Sequence, residues 1–205
     1  MNIVDSKLRM PSMPSDTMTP SEIELLAFHL HHSTNYLEFG SGYSTYLACT
    51  CSSIETVVSV ETWEQWIVKL RAYYSEIEQA ESSGKLHFQL VNIGPVKAWG
   101  YPEDQSYKHL WPEYSQAPSF DDRQYDLVLL DGRFRVACAL KGILSLSEDC
   151  TLLMHDYPSR PEYGIVEDFW LQTECVDSLS AFRKKETIDK DRLRRLIHHF
   201  DDIPV

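Results

Sequence analysis

The chain has 205 residues, 43% of them hydrophobic and 24% charged, which suits one globular domain with a real core. Its formal net charge of -12 repels phosphate backbones and weighs against a nucleic-acid partner. No apolar run approaches the roughly 18 residues of a membrane span, and the N-terminal residues hold no apolar signal region, so a cytoplasmic protein is expected.

In chain order, residues 1–18 hold prolines and serines without periodicity and read as an N-terminal arm. The domain is expected over 19–205. "TPSEIELLAFHLHH" opens it as a helix, with Thr19 as N-cap, Pro20 at the first helical position and Glu22 completing a capping box. "NYLEF" reads as a strand, "STYLACTC" as a helix and "TVVSVE" as a second strand. "EQWIVKLRAYYSEIEQA" reads as one helix, since Trp66, Leu70, Tyr73 and Ile77 fall at helical spacing. "KLHFQLVN" is a third strand. "YDLVLLD" has the continuous apolar middle of a buried parallel strand. "VACALKGIL" is helical, "CTLLMHD" a strand, "YGIVEDFWLQ" a further helix, "TECVDSLSAFRKK" a strand hairpin and "DKDRLRRLIHHF" a closing helix. Its Lys and Arg are interleaved with acids, as on a solvated helix.

Strands alternating with helices predict an α/β fold with a mostly parallel sheet covered on both faces. Ligands in such folds sit beyond the carboxyl ends of the strands. Glu38 to Gly42, Glu61, Asn92, Asp131 and His155 to Tyr157 all fall there. The five cysteines, Cys49, Cys51, Cys138, Cys150 and Cys175, match neither zinc spacing nor a disulfide framework and read as buried reduced thiols.

"YLEFGSGYSTYLA", residues 36–48, carries the main signal. One glycine permits a sharp strand-to-helix turn, and a second lets a ligand approach the backbone. The following helix offers free N–H groups to an anionic group. Glu61 ends the next strand 21 residues after Gly40, where an acid can accept both hydroxyls of a ribose. A dinucleotide loop would have a third glycine where Thr45 stands, and Glu38 beside a pyrophosphate would be unfavourable. Beside an ammonium or a sulfonium it is favourable, and S-adenosylmethionine carries both.

"LEFGSGYST", "VSVE", "VNIG" and "LVLLDG", in this order, resemble the class I S-adenosylmethionine-dependent methyltransferases over residues 19–185. The resemblance implies a Rossmann-like seven-stranded sheet whose last strand, from the C-terminal hairpin, is antiparallel. It implies cofactor contacts from Glu38, Gly40, Ser41, Gly42 and Ser44 around the methionine part, from Glu61 at the ribose, from Trp63 and Asn92 near the adenine, and from Asp131. The "GYS" at Gly42 to Ser44 is similar to small O-methyltransferases of the catechol type. Those place magnesium on acids matching Asp131 and Asp156, but their asparagine ligand is Tyr157 here, which leaves a divalent metal open.

Methyl transfer needs positioning above all, yet the acceptor must lose a proton. A phenol near pKa 10 is about 6 units beyond an ordinary Asp. A raised carboxyl, a histidine or a metal would close that gap, so Asp131, His155 and Asp156 are the catalytic candidates. Arg133 and Arg135 in "DGRFR" either clamp an anionic substrate or pair with local carboxylates. Residues 94–124 are too long for one tight crossover and rich in aromatics, among them Trp99, Tyr101 and Phe120. They read as a lid or substrate wall, or as a contact under the sheet or in a homo-oligomer. Arg133, Trp99, Tyr101 and Tyr157 are therefore the substrate candidates. The functional expectation is methyl transfer to oxygen of a small molecule. The alternatives are a non-catalytic module binding S-adenosylmethionine or S-adenosylhomocysteine and, behind it, a nicotinamide oxidoreductase.

Overall fold

The computed structural model describes residues 18–117 and 123–205. Seven strands form one sheet: β1 (Asn35–Phe39), β2 (Thr56–Glu61), β3 (Leu86–Leu90), β6 (Leu127–Leu130), β7 (Thr151–Met154), β8 (Trp170–Val176) and β9 (Leu179–Lys184). Their order is β3-β2-β1-β6-β7-β9-β8, and a small separate hairpin pairs β4 (Val96–Lys97) with β5 (Tyr101–Pro102). The first five strands of the large sheet are parallel, while β9 runs antiparallel between β7 and β8. This is the expected doubly covered α/β sheet with its antiparallel C-terminal strand.

The apolar runs explain the sheet's centre. All four residues of β6 and of β7 are buried, which requires helices on both faces. Alternation along β1 sends Leu37 and Phe39 into one core and Tyr36 into the other. The first core lies under α6 (Arg135–Ser145) and α7 (Lys190–Phe200), and the second under α1 (Pro20–His31), α2 (Tyr43–Thr50) and α4 (Ser75–Ser82). The capping box at Thr19 and Glu22 forms as expected. Met18, the one described residue of the N-terminal arm, packs into the second core, and the rest of the arm lies outside the described residues.

Two elements differ from the sequence reading. The helix expected over 64–80 is two helices, α3 (Glu64–Tyr73) and α4, broken at Tyr74 by an extended backbone (φ -116°, ψ 104°). The break lets Leu70 join Trp63 and Trp66 while Ile77 turns into the second core, and the Tyr74 ring stacks on Tyr46 at 4.6 Å. The helix expected at "YGIVEDFWLQ" is a 3-10 turn over Pro161–Asp168 that runs into β8. Tyr163, Val166 and Phe169 are all buried, and their spacing of three matches three residues per turn.

The aromatic stretch 94–124 divides. Its first part, β4, a 3-10 turn over Ala98–Gly100 and β5, leaves Trp99 exposed. Its later part, α5 (Pro112–Gln116), belongs to the core: Trp111 and Tyr114 are buried against Phe134, with ring centroids at 5.8 and 5.7 Å. A lid therefore involves only part of the stretch, and Phe120 lies outside the described residues. All five cysteines are unpaired; Cys175 is exposed rather than buried. No helix among the described residues is long and apolar enough to cross a membrane.

Candidate functional site

The carboxyl ends of β1, β2, β6 and β7 converge with the β4–β5 hairpin on one edge of the sheet. Glu61, the last residue of β2, organises one half. Its Oε2 accepts from the Ser41 backbone N–H at 3.1 Å and from the Ser41 hydroxyl at 2.6 Å. Its Oε1 accepts from the backbone N–H groups of Thr62 and Trp63 at 2.7 and 3.1 Å. Trp66 donates its indole N–H to the Ser41 carbonyl at 2.8 Å. Ser41, Glu61, Trp63, Trp66, Trp99 and Gly100 line an open pocket. Trp99 closes it with a left-handed backbone (φ 67°, ψ 22°), a strained conformation for a bulky side chain.

The two glycines of the opening motif differ in role. Gly40 has φ 91°, and a Cβ there would meet the Gly132 backbone at 2.7 Å. Gly42 is extended at φ -179°, and a Cβ there would point into open space. The first glycine lets β1 and β6 close on each other at their ends, and the second leaves room for a ligand.

Glu38 does not face that room. It is fully buried, with Tyr36 and Ser44 donating to Oε2 at 3.0 and 2.7 Å, and Ser59 and Thr45 donating to Oε1. Burial lifts its pKa to about 7 although all four hydroxyls pull it down. Where contacts of Glu38 and Ser44 with a methionine group are expected, the structure has the acid anchoring the loop from beneath and the Ser44 hydroxyl donating to it. Asn92 is exposed and turns its side-chain oxygen back to the Gly94 N–H at 3.0 Å.

The other half surrounds His155. Its Nδ1 lies 2.9 Å from Asp131 Oδ1; its Nε2 lies 3.2 Å from the Ser178 hydroxyl and 3.5 Å from Glu22 Oε2. Ser178 donates both its hydroxyl and its backbone N–H to Glu22 Oε1. Arg135, 2% exposed, bonds the carbonyls of Gly132, His155 and Asp131 and reaches Asp131 Oδ1 at 3.2 Å and Asp156 Oδ2 at 3.0 Å. Arg160 adds a contact to Asp156 at 3.4 Å.

Burial alone would lower the His155 pKa, but the hydrogen bond and charge of Asp131 outweigh it and raise it above the ordinary value. Burial alone would raise Asp131, but His155 and Arg135 hold it below the usual carboxylate range. Asp131 and His155 are thus tied to each other, and Asp131 to Arg135 as well. Arg135 stands between Asp131 and Asp156 where a shared cation was considered, and the described residues contain no cluster of three or more metal-ligating side chains. Tyr157, a substrate candidate of the sequence, donates its hydroxyl to Glu167 at 2.6 Å and packs its ring on Phe182.

The sequence reading missed Glu22 as more than a cap, and it missed Ser178, Trp66, Gly100 and Tyr163 altogether. Only Trp66, five residues beyond Glu61 and read solely as a helix position, was within reach of spacing.

No protein-family model matches the sequence, and no curated protein does. Among solved structures, a methyltransferase-like protein of Silicibacter pomeroyi is 30% identical. It superposes at a TM-score of 0.80 over 94% of this chain and 99% of its own. The chain belongs to the class I S-adenosylmethionine-dependent methyltransferases. A Bacillus cereus O-methyltransferase, in complex with S-adenosylhomocysteine, shares the methyltransferase fold at 16% identity and a TM-score of 0.54, over 84% of each chain. In this methyltransferase the acid ending β2, the open side of Gly42 and the tryptophan-lined pocket are a donor set that fits a nucleoside bearing a cationic tail.

Proposed function

We propose that the protein transfers the methyl group of S-adenosylmethionine to an oxygen of a small molecule. The observation that carries this reading is the Glu61 carboxylate at the end of β2, 8% exposed and beside a pocket walled by Trp63, Trp66 and Trp99. An acid there accepts ribose hydroxyls, and aromatic walls suit the adenine. Gly40, Ser41 and Gly42 would carry the methionine part at the start of α2. The net charge of -12 favours a small acceptor over a nucleic acid.

The chemistry is positioning above all. Once bound, S-adenosylmethionine supplies a sulfonium whose methyl group is already activated. Asp131, His155 and Arg135 form a rigid floor at the ends of β6 and β7. Because Asp131 is held below the usual carboxylate range it is a weak base, and acceptors that are acidic or already ionised ask least of it.

The engagement of Asp131 by both His155 and Arg135 favours a second reading, a binder of S-adenosylmethionine or S-adenosylhomocysteine without turnover. Calorimetric titration with S-adenosylhomocysteine, for the wild type and Glu61→Ala, tests the cofactor site. Micromolar binding lost in the folded variant supports it, and no binding at millimolar ligand overturns it. Release of S-adenosylhomocysteine from S-adenosylmethionine with a panel of phenols and carboxylic acids separates transfer from binding alone.

A further inference from the structure

The "DGRFR" stretch holds two buried arginines with opposite bonding. Arg135 spends its guanidinium on three carbonyls and two carboxylates. Arg133 is 7% exposed, yet its Nε and Nη1 find no hydrogen-bond partner among the described residues. The nearby charges do not supply one. Glu22, Asp131 and Asp156 are matched by His155, Arg135 and Arg160, so Arg133 is the surplus cation of the cluster.

Its surroundings are aromatic. The guanidinium lies 4.1 Å from the Tyr101 ring centroid, and its Cγ lies 3.9 Å from where a Gly100 Cβ would stand. Tyr163, fully buried with the Arg160 guanidinium 5.6 Å from its ring centroid, also has a hydroxyl with no partner among the described residues. A buried cation without an anion is costly, and buried polar groups are nearly always paired. An orphaned guanidinium together with an orphaned phenol asks for a ligand bearing anionic oxygens.

We propose that Arg133 seats a carboxylate or phosphate carried by the methyl acceptor, with Tyr163 as its second donor and Tyr101 as the aromatic wall. This rests on the methyltransferase reading above. The acceptor is favoured over the cofactor's own carboxylate by the elements involved. Arg133 follows β6, Tyr163 follows β7, and Tyr101 belongs to the β4–β5 hairpin, whereas the cofactor loop follows β1 and Glu61 ends β2. Gly100 joins the two regions, since it lines the cofactor pocket and a Cβ there would lie 3.9 Å from Arg133 Cγ.

The test combines stability with binding. Thermal melts compare Arg133→Met with Arg135→Met without ligand. A ligand-seating Arg133 predicts no loss of Tm on its replacement, whereas Arg135→Met loses at least about 5 °C. Calorimetry then titrates benzoate, phenyl phosphate and phenol into the protein, with and without saturating S-adenosylhomocysteine. The wild type should bind one anionic probe at least about tenfold more tightly than phenol, and Arg133→Met should abolish the difference. Its affinity for S-adenosylhomocysteine should stay within about threefold of wild type.

Equal binding of phenol and both anions overturns the proposal. So does an Arg133→Met destabilised like Arg135→Met, which would make Arg133 structural. Loss of S-adenosylhomocysteine binding in Arg133→Met overturns it in favour of the cofactor carboxylate. Failure of the wild type to bind S-adenosylhomocysteine overturns the methyltransferase reading and the acceptor assignment with it. In that case the titrations without S-adenosylhomocysteine report separately whether Arg133 holds an anion.

Discussion

The Ser41 hydroxyl donates to Glu61 Oε2 at 2.6 Å, closing the cofactor loop onto the end of β2. With the Ser41, Thr62 and Trp63 N–H groups, this bond fills the roughly four acceptor positions of a carboxylate. A ribose hydroxyl must therefore displace a donor already there. The Ser41 hydroxyl can leave by rotating about a single bond, as can the Thr62 hydroxyl, which lies farther off at 3.4 Å from Oε1, whereas the three N–H groups are fixed in the backbone. Ser41→Ala should bind S-adenosylhomocysteine as tightly as wild type or up to about tenfold more tightly, because one competing bond to a charged acceptor is gone. Calorimetry reads this directly, and a loss of affinity as large as that of Glu61→Ala would sink the competition argument.

The two glycines beside this bond should fail in different ways. Gly40→Ala combines φ 91° with a Cβ 2.7 Å from the Gly132 backbone, so neither the turn nor the neighbour accommodates it. A loss of at least about 3 kcal/mol in urea unfolding is expected. Gly42→Ala faces open space at an extended φ of -179° and should stay within about 1 kcal/mol of wild type. If that space belongs to the cofactor, its affinity for S-adenosylhomocysteine falls by about tenfold or more. Equal stability losses in the two variants would contradict this division.

The strands and their ends were legible because the parallel strands are continuous apolar runs and the polar residues after them have nowhere else to go. β1 over 35–39 and β2 over 56–61 agree with the reading residue for residue. The direction of individual side chains was less legible. Alternation along β1 places Glu38 on the same face as Tyr36, and only the fold adds Ser44, Thr45 and Ser59 around it. On β7, neighbours should point to opposite faces, yet His155 and Asp156 both reach the same cluster. Asp156 has already left the strand through a left-handed backbone at φ 62°. The Glu22–Ser178 bond spans 156 residues, a separation that no local spacing encodes.

Glu38 has its own pH signature. Its folded pKa, about 7, lies above the ordinary 4.5, so the native state holds the proton more tightly than the unfolded chain. Between pH 4.5 and 7 stability falls as pH rises, and above 7 this contribution is constant. Glu38→Gln stays neutral throughout. Its stability should match wild type near pH 4.5 and exceed it by up to about 3 kcal/mol at pH 8, as measured by urea unfolding across that range. A difference that does not grow with pH would show that the four hydroxyls fully stabilise the ionised acid.

His155 makes the opposite demand on charge. Its ring lies between Asp131, 2.9 Å away, and Glu22 with Ser178 on the other side. Burial opposes the charge, but Asp131 outweighs burial and the folded pKa is raised above 6.5. The stabilisation is therefore complete below pH 6.5 and is lost as pH rises through the folded value. Removing the central cation leaves Glu22 and Asp131 buried without it. His155→Gln should cost about 3 kcal/mol at pH 6, a typical penalty for breaking a buried ion pair. The gap to wild type should narrow at alkaline pH, where wild type loses the same charge. Because Glu38 is present in both proteins, its own titration cancels from the comparison. Urea unfolding of the pair from pH 5.5 to 9 reads the gap. A constant gap would mean that His155 contributes packing and neutral hydrogen bonds, and that the floor of the site is held by Arg135 alone.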